Sequence, residues 1–171
     1  MSNDKSQTPN KKNGYTLIEI LVALTIIGLL FSFGYVSFRD FSRRQALSGA
    51  AKSIQGDLRL AQSDAISGQK PDDANCKMPS YTLDSYDFKI ILPSEYKIEA
   101  NCTGSVNPVL IKDVDLSSSG IAFSMPLINP LEFKVLGQGT NIGDTDWILT
   151  LTQNGTANTA TVTVTSGGEI K

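Results

Sequence analysis

An uncharged apolar stretch near the N-terminus constrains the fold of this chain more than any other feature of its sequence. Residues 20–38 are 19 consecutive positions without a charged side chain, and about 20 such residues cross a bilayer as an α-helix. Lysines precede the stretch and arginines follow it, so the basic residues do not orient it strongly. We therefore predict that residues 15–38 form a single membrane-spanning helix, and the lone carboxylate within it, Glu19, is a candidate functional residue.

A helical pattern continues beyond the apolar stretch. Apolar residues recur there at spacings of three and four, as on one face of an α-helix: Leu47, Ala50, Ile54, Leu58, Ala61 and Ala65. No proline interrupts residues 15–70, whereas Gly68 and Pro71 supply a stop. The pattern predicts one helix over residues 15–67, whose part over 39–70 is amphipathic and packs on a sheet. The alternative is two helices broken near Gly49.

The remainder of the chain, residues 71–171, has the composition of a β-rich globular domain. Residues 71–80 are predicted as a loop from their Pro, Asp, Asn and Ser content. Runs rich in Val, Ile, Thr and aromatic residues then predict seven short strands: residues 86–92, 96–100, 109–111, 121–124, 131–136, 147–152 and 161–165. Short strands with frequent turns favour an antiparallel sheet or a small β-sandwich. Packed against the helix, this gives the α+β class.

Composition excludes most enzyme chemistry. The chain has no His, which removes Ser-His-Asp triads, His-based acid–base catalysis and the common zinc sites. Four short acidic pairs lack the spacing of a calcium-binding loop and are predicted to be solvated turns: Asp72-Asp73, Asp84-Asp87, Asp113-Asp115 and Asp144-Asp146. We predict no catalytic residue, no metal site, no cofactor and no enzymatic activity.

The residues at the start of the apolar stretch resemble a known motif. Gly14-Tyr15-Thr16-Leu17-Ile18-Glu19, followed by an apolar run, is similar to the prepilin signal shared by type IV pilins and type II secretion pseudopilins. The resemblance covers about 25 residues. It implies cleavage by a prepilin peptidase between Gly14 and Tyr15, N-methylation of Tyr15, and a role for Glu19 in subunit assembly.

The resemblance also implies a domain organisation and a location. Residues 1–14 would be a cytoplasmic leader peptide, residues 15–38 the transmembrane and filament-core helix, residues 39–70 its amphipathic continuation, and residues 71–171 an extracytoplasmic domain. The protein would be a single-pass protein of the cytoplasmic membrane that later enters a filament. Its partners would be other pilin subunits, the prepilin peptidase and the inner-membrane assembly platform.

The end of the amphipathic helix narrows the resemblance to one subgroup. Residues 57–66, Asp-Leu-Arg-Leu-Ala-Gln-Ser-Asp-Ala-Ile, are similar to the same segment of GspH/FimT-like minor pseudopilins. We therefore expect a structural subunit of a type IV pilus or type II secretion-like filament. The alternative is a competence-type minor pilin that binds DNA, or a surface adhesin subunit. A mature chain starting at Tyr15 has 12 basic and 16 acidic residues, a formal charge of −4, which argues against DNA binding.

Two cysteines, Cys76 and Cys102, are separated by 26 positions. Two cysteines without His cannot complete a zinc site. If the domain is exported, a disulfide between them is the natural prediction, and two unpaired thiols are the alternative.

Overall fold

The computed structural model describes residues 14–77 and 79–171, together with the side chains of these residues except those of residues 33–37. The predicted leader, residues 1–14, therefore lies outside the described residues except for Gly14. Contacts between Cα atoms divide the chain into two units, Met1–Phe41 and Ser42–Lys171.

Helix α1 spans Leu17–Ser67, in agreement with the long helix predicted over residues 15–67, and its residues belong to both units. It begins two residues later than predicted because Thr16 caps it. It ends before Gly68, whose backbone adopts a left-handed φ of +65°, a conformation that glycine tolerates and that terminates helices. The six stripe residues listed above are all buried. Within the globular unit Ser42–Lys171, the predicted amphipathic face therefore packs on the sheets.

Seven strands follow, all close to their predicted positions. They are β1 (Thr82–Ile91), β2 (Glu95–Thr103), β3 (Val109–Asp115), β4 (Ile121–Phe123), β5 (Leu131–Lys134), β6 (Trp147–Gln153) and β7 (Thr159–Val164). A four-stranded sheet has the order β3-β2-β1-β5, and a three-stranded sheet has the order β4-β6-β7. Every strand pairing within them is antiparallel. The α+β prediction is confirmed.

The two sheets and α1 share one hydrophobic core. Ile54 and Leu58 of α1 are fully buried, as are Phe88 of the larger sheet and Leu149 of the smaller one. The Phe88 ring packs edge-on against Trp147, with a centroid distance of 6.0 Å, and so links the two sheets.

Two local predictions were wrong. Residues 131–136 were predicted as one strand, but β5 ends at Lys134 because Leu136 has a φ of +56°, which no extended strand accommodates. The predicted loop over residues 71–80 contains a short helix, α2 (Ala74–Lys77). The Asp73 carboxylate accepts a 2.8 Å hydrogen bond from the Asn75 backbone N–H, which satisfies an otherwise unpaired donor at the start of this helix.

Candidate functional site

The residues of the predicted processing motif lie at the beginning of α1. The Glu19 backbone N–H is 3.3 Å from the Thr16 hydroxyl oxygen and 3.1 Å from the Thr16 carbonyl oxygen, and donates to both. Thr16 is therefore an N-cap residue, and Glu19 lies in the first turn of the helix. A carboxylate there is favoured by the partial positive charge of a helix N-terminus.

Gly14 and Tyr15 precede the helix. Neither is in regular secondary structure, and the Tyr15 side chain is 79% exposed. A Cβ atom built on Gly14 would meet no other atom within 4 Å. The peptide bond between these residues is therefore free of the helical hydrogen bonds that would protect it. Among the described residues, no hydrogen bond joins Tyr15 to Glu19.

The first turns of α1 leave an apolar surface uncovered. Glu19 is exposed and is the only charged residue between Tyr15 and Phe38 in the sequence. Eleven large apolar side chains around it are exposed: Leu17, Ile18, Ile20, Leu21, Val22, Leu24, Ile26, Ile27, Leu29, Leu30 and Phe31. Contiguous apolar surface of this kind marks a site that contacts another protein or a membrane.

None of the helices that the structure describes combines the length and the apolar composition that are needed to cross a membrane.

Cys76 and Cys102 form a disulfide that ties α2 to β2. Their Cα atoms are 5.5 Å apart, within the range usual for disulfides, and both residues are buried. The structure therefore contains the predicted disulfide and not the alternative of two unpaired thiols. The bridge closes a segment with little regular structure onto the larger sheet.

A polar cluster that the sequence analysis did not identify connects α1 to the larger sheet. Asp57 is buried on α1. Its carboxylate accepts hydrogen bonds of 2.6 Å from the Tyr96 hydroxyl and of 2.6 and 2.8 Å from the Lys112 ammonium. Burial, followed by the hydrogen bond to Asp57 and the charge of Asp57, raises the pKa of Tyr96 above its usual value. One sequence signal was available: position 57 falls three residues after Ile54 and therefore on the apolar stripe.

The prediction of solvated turns was wrong for Asp84, which lies in β1, for Asp113 and Asp115, which lie in β3, and most clearly for Asp87. This residue lies within β1 and is buried, and its carboxylate accepts hydrogen bonds of 2.7 Å from Ser85 and 2.6 Å from Asn101. Burial raises the pKa of Asp87 above its ordinary 3.8; the two hydrogen bonds lower it, and the charges of Glu132 and Glu99 raise it further. Among the described residues, no group of three or more acidic or cysteine side chains is arranged to hold a metal ion.

One comparison with known proteins bears on this site. The family model described as the prokaryotic N-terminal methylation motif matches residues 9–35. The chain carries an N-terminal methylation motif. The match confirms the resemblance to type IV pilin-like proteins and pseudopilins. No curated protein and no solved structure is significantly similar to the chain.

The methylation motif includes Gly14, Tyr15 and Glu19 and extends along the apolar part of α1. A motif of this type points to a pilin or pseudopilin subunit, a structural protein rather than an enzyme. It also points to processing by a prepilin peptidase and to assembly with other pilin subunits.

Proposed function

We propose that this protein is a minor pilin or pseudopilin subunit of a type IV pilus or type II secretion-like filament. It is stored in the cytoplasmic membrane and is then assembled through its N-terminal helix. The observation that carries the proposal is the methylation motif over residues 9–35, which coincides with the start of a helix whose apolar side chains are uncovered.

Processing removes residues 1–14. A peptidase that cuts between Gly14 and Tyr15 needs an extended, accessible bond, and these residues lie outside α1 in exposed backbone. Gly14 offers no side chain that would obstruct a narrow subsite, and it has little helix propensity. Methylation then occurs on the new amine of Tyr15.

Glu19 acts in assembly. The amine freed on Tyr15 is a cation in an apolar environment and is costly unless paired. Glu19 is the nearest carboxylate in the sequence, and the next along the chain is Asp40. Pairing of Glu19 with the Tyr15 amine of a neighbouring copy favours addition of a subunit, because an unpaired charge in the apolar core of the filament is strongly unfavourable.

The apolar half of α1 is in contact with other molecules both when the protein is stored in the membrane and when it is part of a filament. In the membrane its exposed side chains contact lipid, and in the filament they contact the same helix of neighbouring copies. The apolar surface is buried in each case, so transfer between the two states is close to balanced in free energy. Residues 71–171 remain on the extracytoplasmic side, where an oxidising environment suits the Cys76–Cys102 disulfide.

Replacing Glu19 with Ala tests the proposal. We expect the variant to be inserted and cleaved normally, but the assembled fraction to fall by about tenfold or more, because a lost charge partner in an apolar core costs more than about 1.4 kcal/mol. The measurement is the ratio of sheared filament to membrane-bound subunit.

A matched control replaces Thr25 with Val. Thr25 lies on the same apolar part of α1, and its hydroxyl donates only to the Val22 carbonyl within the helix. The control variant should assemble like the original chain. Normal filaments from Glu19→Ala would contradict the proposal.

A further inference from the structure

Charge is distributed unevenly over the globular unit Ser42–Lys171. The strands of the three-stranded sheet carry no charged residue, whereas those of the four-stranded sheet carry seven acidic and four basic residues. The part of α1 in this unit has the opposite balance, with four basic and two acidic residues. The unit therefore has a basic side and an acidic side.

The basic side contains an open groove between α1 and the beginning of β7, with a volume of about 490 Å³. Arg44 and Lys52 line it, and no acidic residue does. The other lining residues are small or uncharged, among them Ala51 of α1 and Thr159 of β7. Neither Arg44 nor Lys52 has an ion-pair partner in the part of the chain that the structure describes.

The wall of the groove that β7 forms is a sheet edge. The backbone of Thr163 points away from β6 and exchanges two hydrogen bonds with Lys171, of 3.0 and 2.9 Å. Because backbone groups alternate along a strand, those of Thr159 and Thr161 point the same way. Among the described residues, none is hydrogen-bonded to the outward-pointing backbone groups of Thr159 and Thr161, so the groove offers polar backbone groups beside its two cations.

The acidic side is the outer face of the four-stranded sheet, on which acidic residues outnumber the three lysines Lys89, Lys97 and Lys134. Asp87 of β1 is paired in register with Glu99 of β2 and with Glu132 of β5. The neighbours Ile98 and Leu131 are buried in the core, so the two glutamates point away from it. Three carboxylates in a row across adjacent strands repel one another, and neither Glu99 nor Glu132 has an ion-pair partner among the described residues.

We propose that the groove between α1 and β7 receives the acidic outer sheet face of a second copy of this chain, with Arg44 and Lys52 facing Glu99 and Glu132. The two surfaces differ in their residues, so the contact is head-to-tail and repeats from copy to copy instead of closing a symmetric dimer. This inference rests on the proposed function, because it adds a second contact between subunits of the same filament. The charges supply its complementarity and specificity.

Charge exchange in the full-length chain tests the contact. One variant carries Arg44→Glu and Lys52→Glu, a second carries Glu99→Lys and Glu132→Lys, and a third carries all four substitutions. A control variant carries Lys77→Glu and Lys171→Glu. The ammonium groups of these two lysines are exposed and pair with Asp72 and Glu169, outside both surfaces. Self-association is measured by chemical crosslinking of the membrane-bound chain and by filament yield. Glu19→Ala is measured in parallel.

We expect each double variant to lose self-association by about tenfold or more, because like charges then face each other, and the fourfold variant to recover most of it. The control should associate normally. Double variants that associate like the original chain, or a fourfold variant as defective as the doubles, would overturn the contact even when Glu19→Ala abolishes assembly. If Glu19→Ala assembles normally while the charge exchange behaves as expected, the contact stands and the role of Glu19 fails. An original chain that stays monomeric overturns both.

Discussion

The carboxylate of Asp57 on α1 accepts a 2.6 Å hydrogen bond from the hydroxyl of Tyr96 on β2. It also forms an ion pair with the ammonium group of Lys112 on β3, at a distance of 2.6 Å. The two contacts fasten the amphipathic part of the helix to two strands of the larger sheet. Asp57 is almost fully buried, so its charge depends on these two partners for compensation.

We predict that Asp57→Ala destabilises the isolated globular unit Ser42–Lys171 by about 2–4 kcal/mol. The loss is smaller than for a fully buried pair because the Lys112 side chain is 41% exposed. Urea unfolding followed by circular dichroism measures it. The control is Lys77→Ala, which removes an exposed ion pair to Asp72 and should change the midpoint little. Equal midpoints for the two variants would show that the buried cluster does not stabilise the unit.

A second prediction concerns Asp87 and pH. Because its folded pKa is raised above 3.8, the folded protein binds the proton more tightly than the unfolded chain does. The stability that this provides is fully present below pH 3.8 and is lost as the pH rises through the folded pKa. Asp87→Asn removes this pH-dependent loss of stability, because asparagine does not titrate, and it keeps a side chain that can form hydrogen bonds with Ser85 and Asn101. Its stability relative to the original unit should therefore increase as the pH rises above 3.8, over the range in which the folded carboxyl group loses its proton. A difference that is constant across this range would contradict the shift.

The disulfide gives a third prediction. Joining Cys76 to Cys102 closes a loop with a sequence separation of 26, which by the chain-entropy relation stabilises the folded state by about 3–4 kcal/mol. Cys76→Ser with Cys102→Ser should lower the free energy of unfolding by this amount. A reductant should destabilise the original unit similarly and leave the double variant unchanged. If the reductant has no effect on the original unit either, the bridge is absent.

Local patterns were enough to predict α1 and the seven strands, but not the short helix α2. The strand β7 was predicted from the alternation of Val162 and Val164 with threonines, and both valines are fully buried. The end of β5 could not be predicted, since nothing in the local sequence indicates that Leu136, which is not a glycine, adopts a left-handed backbone.

The partners within the polar clusters could not be predicted, and the reason is different. An aspartate on a helix or in a turn is usually solvated, and what buries Asp57 is contact with Lys112, 55 positions away. In the same way, Asp87 is held by Asn101 of the neighbouring strand. Such partners are defined by the packing of α1 on the sheet for Asp57 and by sheet register for Asp87, and sequence spacing alone specifies neither. The motif at Gly14, Tyr15 and Glu19 is contiguous in sequence, and this is why it could be recognised without a structure.

The most direct test of the account is the mass of the mature protein isolated from its native membrane or filament. We predict a chain that begins at Tyr15 and carries one added methyl group on its N-terminal amine. Replacing Gly14 with a bulky residue such as Leu should leave only the uncleaved precursor in the membrane. A native chain that retains residues 1–14, or one that begins beyond Phe38, would contradict the assignment as a pilin-like subunit.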